Sequence, residues 1–290
     1  MIGIGLALLA AFAYALSAVL IRKRLDESNF FSATLVITAT GNIILWPLAL
    51  LFTNFKTVNL EGVLFFVIAG ILAPGITRLL YYKGMEIIGV SVNASIFATY
   101  PMYISIFAVL LLSEVLAPEN WIGVICIVVG VMFIERGLGK PKTEPERIFK
   151  KGLIFPLLAT LTIASSHLVR KHGLNIYNEP LLGVAVGYSS SLLLYLLLLT
   201  SSSSMRCSIS LGKDLQLFWR AGFFLAIGWV FAFYALSYER VSIVTPLIQT
   251  EPLFVLFFAY LYLKESEHIS FKAIMSTLLI VIGVALVSIR

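Results

Sequence analysis

Residues 248–266 read "IQTEPLFVLFFAYLYLKES", with Glu251 and Pro252 in the middle of an otherwise apolar run. A carboxylate and a helix breaker are both costly where the solvent is hydrocarbon. A second stretch shows that the placement is repeated. Residues 81–114, "YYKGMEIIGVSVNASIFATYPMYISIFAVLLLSE", align with residues 233–265, "FYALSYERVSIVTPLIQTEPLFVLFFAYLYLKE", with one gap. Pro101 then meets Pro252, Tyr100 meets Glu251, and Glu114 meets Glu265. Beyond them "VVGVMFI" (128–134) answers "VIGVALV" (281–287), and "SAVLIRK" (17–23) answers "SSHLVRK" (165–171). Several matches at fixed spacing, in order, indicate a duplicated unit.

Composition says what that unit is made for. Of the 290 residues, 60% are hydrophobic and only 12% charged, against about 25% charged in an ordinary soluble protein. A soluble core of this length could not hide so much apolar surface, so lipid is the expected solvent. A bilayer-crossing helix needs about 20 largely apolar residues. Runs of that kind fall near 3–21, 31–52, 61–82, 90–112 and 119–135, and again near 152–169, 181–200, 215–237, 241–263 and 270–289. Between the sets lies "RGLGKPKTEPERIFKK" (136–151), the most polar stretch of the chain and its linker. The expected fold is an all-α polytopic membrane protein of ten transmembrane helices. Residues 1–135 form one five-helix repeat and 152–290 the other. The opening "MIGIGLALLAAFAYALSAVLIRKR" lacks a basic leader and a cleavage site, so it reads as a retained first span.

An odd number of crossings per unit leaves the second copy inverted with respect to the first. Inverted repeats around a midplane site are the architecture of many secondary transporters, because exchanging the two repeats' conformations opens one side as it closes the other. The net charge of +6 does not indicate nucleic acid, since the basic residues fall mostly between the apolar runs. Cys126 and Cys207 form no metal or redox spacing, and neither a metal nor a cofactor is expected. Nothing resembles a phosphate-binding loop for ATP, so transport would be downhill or coupled to a proton or ion.

Ionisable groups inside the spans are few, and Arg78, His167 and Glu251 are the deep ones. Each costs about 2.5–3.5 kcal/mol at a helix centre on insertion scales, which disfavours a lipid-facing position. Arg78 and Glu251 come from different halves and could meet in the central space. They could receive a substrate carboxylate and an amine or proton, or form a structural ion pair. Pro101 and Pro252 would loosen the preceding turn, either as flex points of matching helices or as static kinks. Asn93, Phe97 and Tyr100 share one helical face by their spacing. Tyr14, Tyr82, Trp229 and Gln249 complete the candidate cavity set with Asn93, Tyr100 and the three ionisable residues. "GVAVG" (183–187) matches a small-residue helix-contact pattern, read as internal packing.

These paired motifs resemble the drug/metabolite transporter superfamily, and within it the EamA-type carriers of ten spans. The likeness rests on "YLYLKES" after "EPLFVLFF", on "AVLLLSE" after "YPMYISIF", and on the glycine shared by "VIGVAL" and "VVGVMF". It implies a basket in which spans one, three, four, six, eight and nine surround a central cavity. It implies also a small-molecule substrate, such as an amino acid or similar metabolite, and often outward movement across the cell membrane. Glu251 and Pro252 match the family's Glu-Pro element, whereas the first half departs from it with Tyr100 before Pro101. Glu114 and Glu265 match the family's glutamates near the ends of spans four and nine, to which a structural role is assigned.

The family's orientation, with both termini in the cytoplasm, would leave Lys56, Arg170, Lys171, Arg240 and Arg290 inside and fifteen other Lys/Arg outside. The positive-inside rule favours the reverse. The leading expectation is a carrier of a small amphipathic metabolite, with membrane lipids as its surroundings. A flippase for a lipid-linked substrate is the alternative of similar architecture. An intramembrane enzyme is disfavoured, because Asp26 and Asp214 fall in expected loops and Ser165, Ser166 and His167 are sequence neighbours that cannot form a triad.

Overall fold

The computed structural model describes residues 2–24, 27–55, 58–88, 90–137, 151–201, 211–263 and 271–289. Among them every regular element is helical. The first half comprises α1 (Ile2–Arg24), α2 (Phe30–Phe52), α3 (Leu60–Gly70), α4 (Thr77–Ile88), α5 (Val90–Phe97), α6 (Tyr100–Leu112) and α7 (Pro118–Gly137). The second comprises α8 (Ile154–Ile176), α9 (Pro180–Ser201), α10 (Leu211–Tyr238), α11 (Val241–Ile248), α12 (Glu251–Leu263) and α13 (Phe271–Val287). The pairs α3–α4, α5–α6 and α11–α12 are each one rod in two segments, so the thirteen α-helices among the described residues form ten rods.

Six rods are long and apolar enough to cross a bilayer, and apolar stretches at Pro118–Phe133, Val241–Val255 and Met275–Val287 are shorter. Leu50, Leu51, Leu110, Leu111 and Leu197 project outward, each at least 62% exposed. So large an apolar outer surface fits hydrocarbon and not water. Most of the linker, Cys207 and Glu265 lie outside the described residues.

The spans expected near 90–112 and 241–263 are each a rod of two segments. Both rods break, at Ala98–Thr99 and at Gln249–Thr250. Each break separates a segment of 8 residues from one of 13. The hydrogen bonds around the two breaks also correspond. Ala98 N–H donates to Ala94 and Thr99 N–H to Ile96, as Gln249 N–H donates to Thr245 and Thr250 N–H to Leu247. The Thr99 and Thr250 hydroxyls donate to those same Ile96 and Leu247 carbonyls, at 2.6 and 2.7 Å. Pro101 and Pro252 are the second residues of the segments that restart. There a missing N–H removes no intrahelical bond, so each proline begins a helix and does not bend one.

The third rod changes pitch through a π-helical turn, Ile71–Ile76, with Ala73 in extended conformation ahead of Pro74 and Gly75. Carbonyls freed by such a break need donors where water is absent. Tyr195 supplies its hydroxyl to Pro74 at 2.8 Å and to Gly75 at 3.1 Å. Arg170 Nη2 donates to Ala73 O at 3.2 Å, and Thr77 Oγ1 to Leu72 O at 2.8 Å.

Close helix contacts are made through glycine. A Cβ on Gly70 would lie 2.2 Å from Gly187 O, which gives "GVAVG" the packing role expected of it. A Cβ on Gly123 would meet Gly283 O and Val287, and one on Gly130 would meet Ser276 O and Ile280. As α7 advances, its contacts therefore move backward along α13, and these two matching helices run antiparallel.

Candidate functional site

A cavity of about 170 Å³ lies where the broken rods α5–α6 and α11–α12 approach α1, α4, α8 and α10. Tyr14, Arg78 and Tyr100 line it from the first half, and His167, Trp229, Gln249 and Glu251 from the second. Gln249 and Glu251 reach it because the rod stops at Gln249–Thr250 and restarts. Tyr100 does so at the equivalent break. Phe97, Ile163, Leu225 and Ile248 complete the wall and give it its apolar character.

Two candidates do not reach the cavity. Tyr82 stacks on Phe30, with ring centroids 4.7 Å apart and planes 27° apart. Asn93 is fully buried, and its Nδ2 donates to Tyr81 O at 3.1 Å. It fills the space beside Gly84, where a Cβ would lie 1.9 Å from Asn93 Oδ1. The break at Ala98–Thr99 interrupts the continuous helical face on which the grouping of Asn93 with Phe97 and Tyr100 was based.

Arg78 and Glu251 share the cavity, but Arg78 makes no ion pair there among the described residues. Arg78 Nη1 lies 3.5 Å from Thr38 Oγ1. Glu251 lines the cavity together with Tyr14 and Tyr100. The His167 ring lies nearly parallel to Tyr100 on one side (6.0 Å, 7°) and Trp229 on the other (6.3 Å, 22°). Tyr14 closes on Trp229 with centroids 5.8 Å apart. All four rings line the cavity.

Packed against Trp229 is Arg170, which the sequence placed among the charges at a span end. Instead α8 runs on to Ile176, and Arg170 is only 1% exposed. Its guanidinium carbon sits 4.4 Å from the Trp229 ring centroid and 4.7 Å from that of Phe233. Its Nη2 donates to Ser166 Oγ at 3.0 Å, and its Nη1 lies 3.4 Å from His167 Nδ1. A signal was present in "SSHLVRK": Ser166, His167 and Arg170 fall at i, i+1 and i+4, one side of a helix. Ending the span at its first charge concealed it.

The end of the molecule beyond Arg170 is tied together by polar contacts. Ser113, in left-handed conformation, ends α6 and is followed by the buried Glu114. Glu114 accepts from the first backbone donors of α11, Val241 N–H at 2.9 Å and Ser242 N–H at 3.2 Å, and from the Ser242 hydroxyl. A carboxylate suits a helix N-terminus, where donors lack intrahelical partners and the dipole is positive. Lys171 donates to Leu236 O at 2.6 Å and Glu239 O at 3.0 Å, and Arg240 to Val115 O. At the opposite end Asp214, expected in a loop, stands in the first turn of α10 and is buried. It accepts from the hydroxyls of Ser28 and Ser32.

The model of the EamA-like transporter family matches residues 1–136 and again residues 150–289. An uncharacterized transporter of Archaeoglobus fulgidus is 26% identical over 288 residues, which cover 99% of this chain and 98% of that one. A solved crystal structure superposes with a TM-score of 0.73 at 15% identity, covering 98% of both chains, a likeness of fold alone. With both halves matched, the chain belongs to the EamA-like transporter family and is a multi-pass membrane transporter, not an enzyme.

Proposed function

We propose that this protein is a secondary carrier that moves a small amphipathic metabolite, an amino acid or a similar molecule, by alternating access of two inverted five-helix repeats. The repeats are residues 1–135 and 152–290, joined by the basic linker 136–151. The observation that carries this reading is a cavity placed at duplicated helix breaks and lined from both halves. The antiparallel course of α7 against α13 supports inversion, since matching helices of repeats related by an in-plane two-fold axis run opposite ways.

Arg78 and Glu251 are the polar anchors of this site, facing a substrate carboxylate and its amine or a coupling proton. Tyr14, Tyr100, His167, Trp229 and Gln249 provide the aromatic and hydrogen-bonding wall typical of small-molecule pockets. The breaks ahead of Pro101 and Pro252 are the hinges. A cavity of about 150 Å³ holds a molecule the size of benzene, so about 170 Å³ favours a small metabolite over a lipid-linked one. Outward movement across the cell membrane is the direction the family likeness suggests.

Flux in proteoliposomes tests the reading. Reconstituted protein exchanges a small labelled metabolite across the vesicle membrane, and Arg78→Ala and Glu251→Gln each reduce exchange. Undiminished exchange in both variants removes the two residues from the site.

A further inference from the structure

The Arg170 guanidinium is held on several sides. Trp229 and Phe233 present their ring faces to its carbon at 4.4 and 4.7 Å. Its Nη2 donates to Ala73 O at 3.2 Å and to Ser166 Oγ at 3.0 Å. Ser166 in turn donates its own hydroxyl proton to Ala69 O at 2.7 Å, which leaves its oxygen to accept from Arg170. A planar group fixed in this way has its remaining donors fixed as well. One of them, Nη1, lies 3.4 Å from His167 Nδ1.

That contact decides where the imidazole keeps its proton. A guanidinium N–H can only donate, so Nδ1 accepts, and the ring then carries its hydrogen on Nε2. A second proton, on Nδ1, would set donor against donor and cation against cation. His167 is buried between Tyr100 and Trp229, and the contact with Arg170 is the ring's one hydrogen bond among the described residues. The other ionisable groups around it are Tyr14 on α1, Arg78 on α4, Tyr100 on α6 and Glu251 on α12, which line the same cavity, while α10 contributes Trp229. Among the charged groups it is Arg170 that meets the ring.

We propose that Arg170 is a positioning residue that fixes His167 as a neutral Nε2–H donor, and that this donor binds an oxygen of the transported molecule. This rests on the carrier reading and adds to it the residue that orients the cargo's acceptor. Arg170 occupies the Nδ1 edge of the ring, and Tyr100 and Trp229 flank its faces. The outer edge, bearing Nε2, is what His167 offers the cavity that it lines. Arg170 itself is not part of the cavity wall, so it acts through His167. A ring held this way carries no coupling proton, and where transport is proton-coupled the carrier is Glu251.

The test uses full-length protein in detergent micelles with isotope-labelled histidine. The chain has three histidines, His167, His172 and His268, and His167→Gln identifies the resonances of the first. Nitrogen–proton correlation spectra are expected to show a protonated Nε2 and a bare Nδ1 at every pH from about 5 to about 8, the range in which a free imidazole titrates. Arg170→Met is expected to let the ring titrate or populate both tautomers in that range. A proton on Nδ1 in the unaltered protein overturns the proposal, as does a spectrum that Arg170→Met leaves unchanged. If Arg170→Met does not fold, the spectrum of the unaltered protein decides.

An equimolar mixture of the protein amino acids is the probe for cargo. It is expected to shift the His167 Nε2–H resonance and to exchange in proteoliposomes. His167→Phe, which keeps a ring and loses the donor, is expected to raise the half-saturating concentration for exchange by up to about tenfold with the maximal rate little changed. Exchange that leaves the resonance unmoved overturns the donor role and leaves the carrier reading standing. A shifted resonance without exchange supports the donor and overturns the carrier reading. A mixture that does neither overturns both.

Discussion

Tyr100 and Glu251 occupy the same place in two copies of one broken rod. Each is the first residue of a 13-residue helix that follows an 8-residue one, and both line the same cavity. The duplicated backbone therefore presents an aromatic ring from one half and a carboxylate from the other. A symmetric scaffold with an asymmetric pair of side chains can give a bound molecule a defined orientation.

Exchanging Glu251 for glutamine keeps the shape and removes the charge. Hydrogen bonds to charged groups contribute about 1.5–3 kcal/mol, so initial flux is expected to fall at least about tenfold with the unfolding midpoint little changed. The check is flux per mole of folded protein. Tyr100→Phe, which removes only a hydroxyl, is expected to have the smaller effect.

The two breaks predict a rate effect separate from binding. Pro101→Ala together with Pro252→Ala permits hydrogen bonds that would continue each rod through its break. Maximal flux is expected to drop several-fold while substrate affinity holds, because the cavity wall itself is unaltered. Flux measured across a range of substrate concentrations distinguishes the two, and a change in affinity alone would contradict the hinge role.

Glu114 predicts a loss of stability. Its carboxylate serves two backbone donors and a hydroxyl at the start of α11. Glu114→Ala is expected to cost about 1–3 kcal/mol, seen as a lower unfolding midpoint in detergent. Glu119, exposed in the first turn of α7, is the control, and Glu119→Ala is expected to change little.

The contact between Gly70 and Gly187 predicts a steric penalty. Gly70→Val places atoms where a Cβ alone would lie 2.2 Å from Gly187 O and Ser190 Oγ. Overpacking of this kind costs about 1–3 kcal/mol, and here backbone lies on the far side. Gly5, where a Cβ would meet nothing within 4 Å, is expected to accept alanine without loss.

The ten rods and the duplication were legible because hydrocarbon imposes length and composition on every span, and because the repeat retained proline, glutamate and glycine at fixed spacing. Seven of nine candidate side chains line the cavity, since ionisable and amphipathic groups in a span have few places to go. The breaks were legible only as turns loosened ahead of Pro101 and Pro252, not as full interruptions. A segment such as "SIFATYPM" has helical periodicity on either side of Ala98–Thr99, and the interruption depends on Thr99 bonding its own preceding turn. Arg170 was missed for a related reason: charge was taken to mark the edge of a span, whereas here rings and freed carbonyls surround it. Asn93 was misplaced because periodicity identifies a face of a helix without saying what that face meets.

The most direct test is accessibility at Gln249, on the break itself. Gln249→Cys is introduced into a chain whose Cys126 and Cys207 are replaced by serine, and the protein is reconstituted with uniform orientation. The account predicts that a membrane-impermeant thiol reagent labels this position from either face of the vesicle, and that substrate lowers both labelling rates. Labelling from one face alone under every substrate condition would contradict alternating access through this cavity.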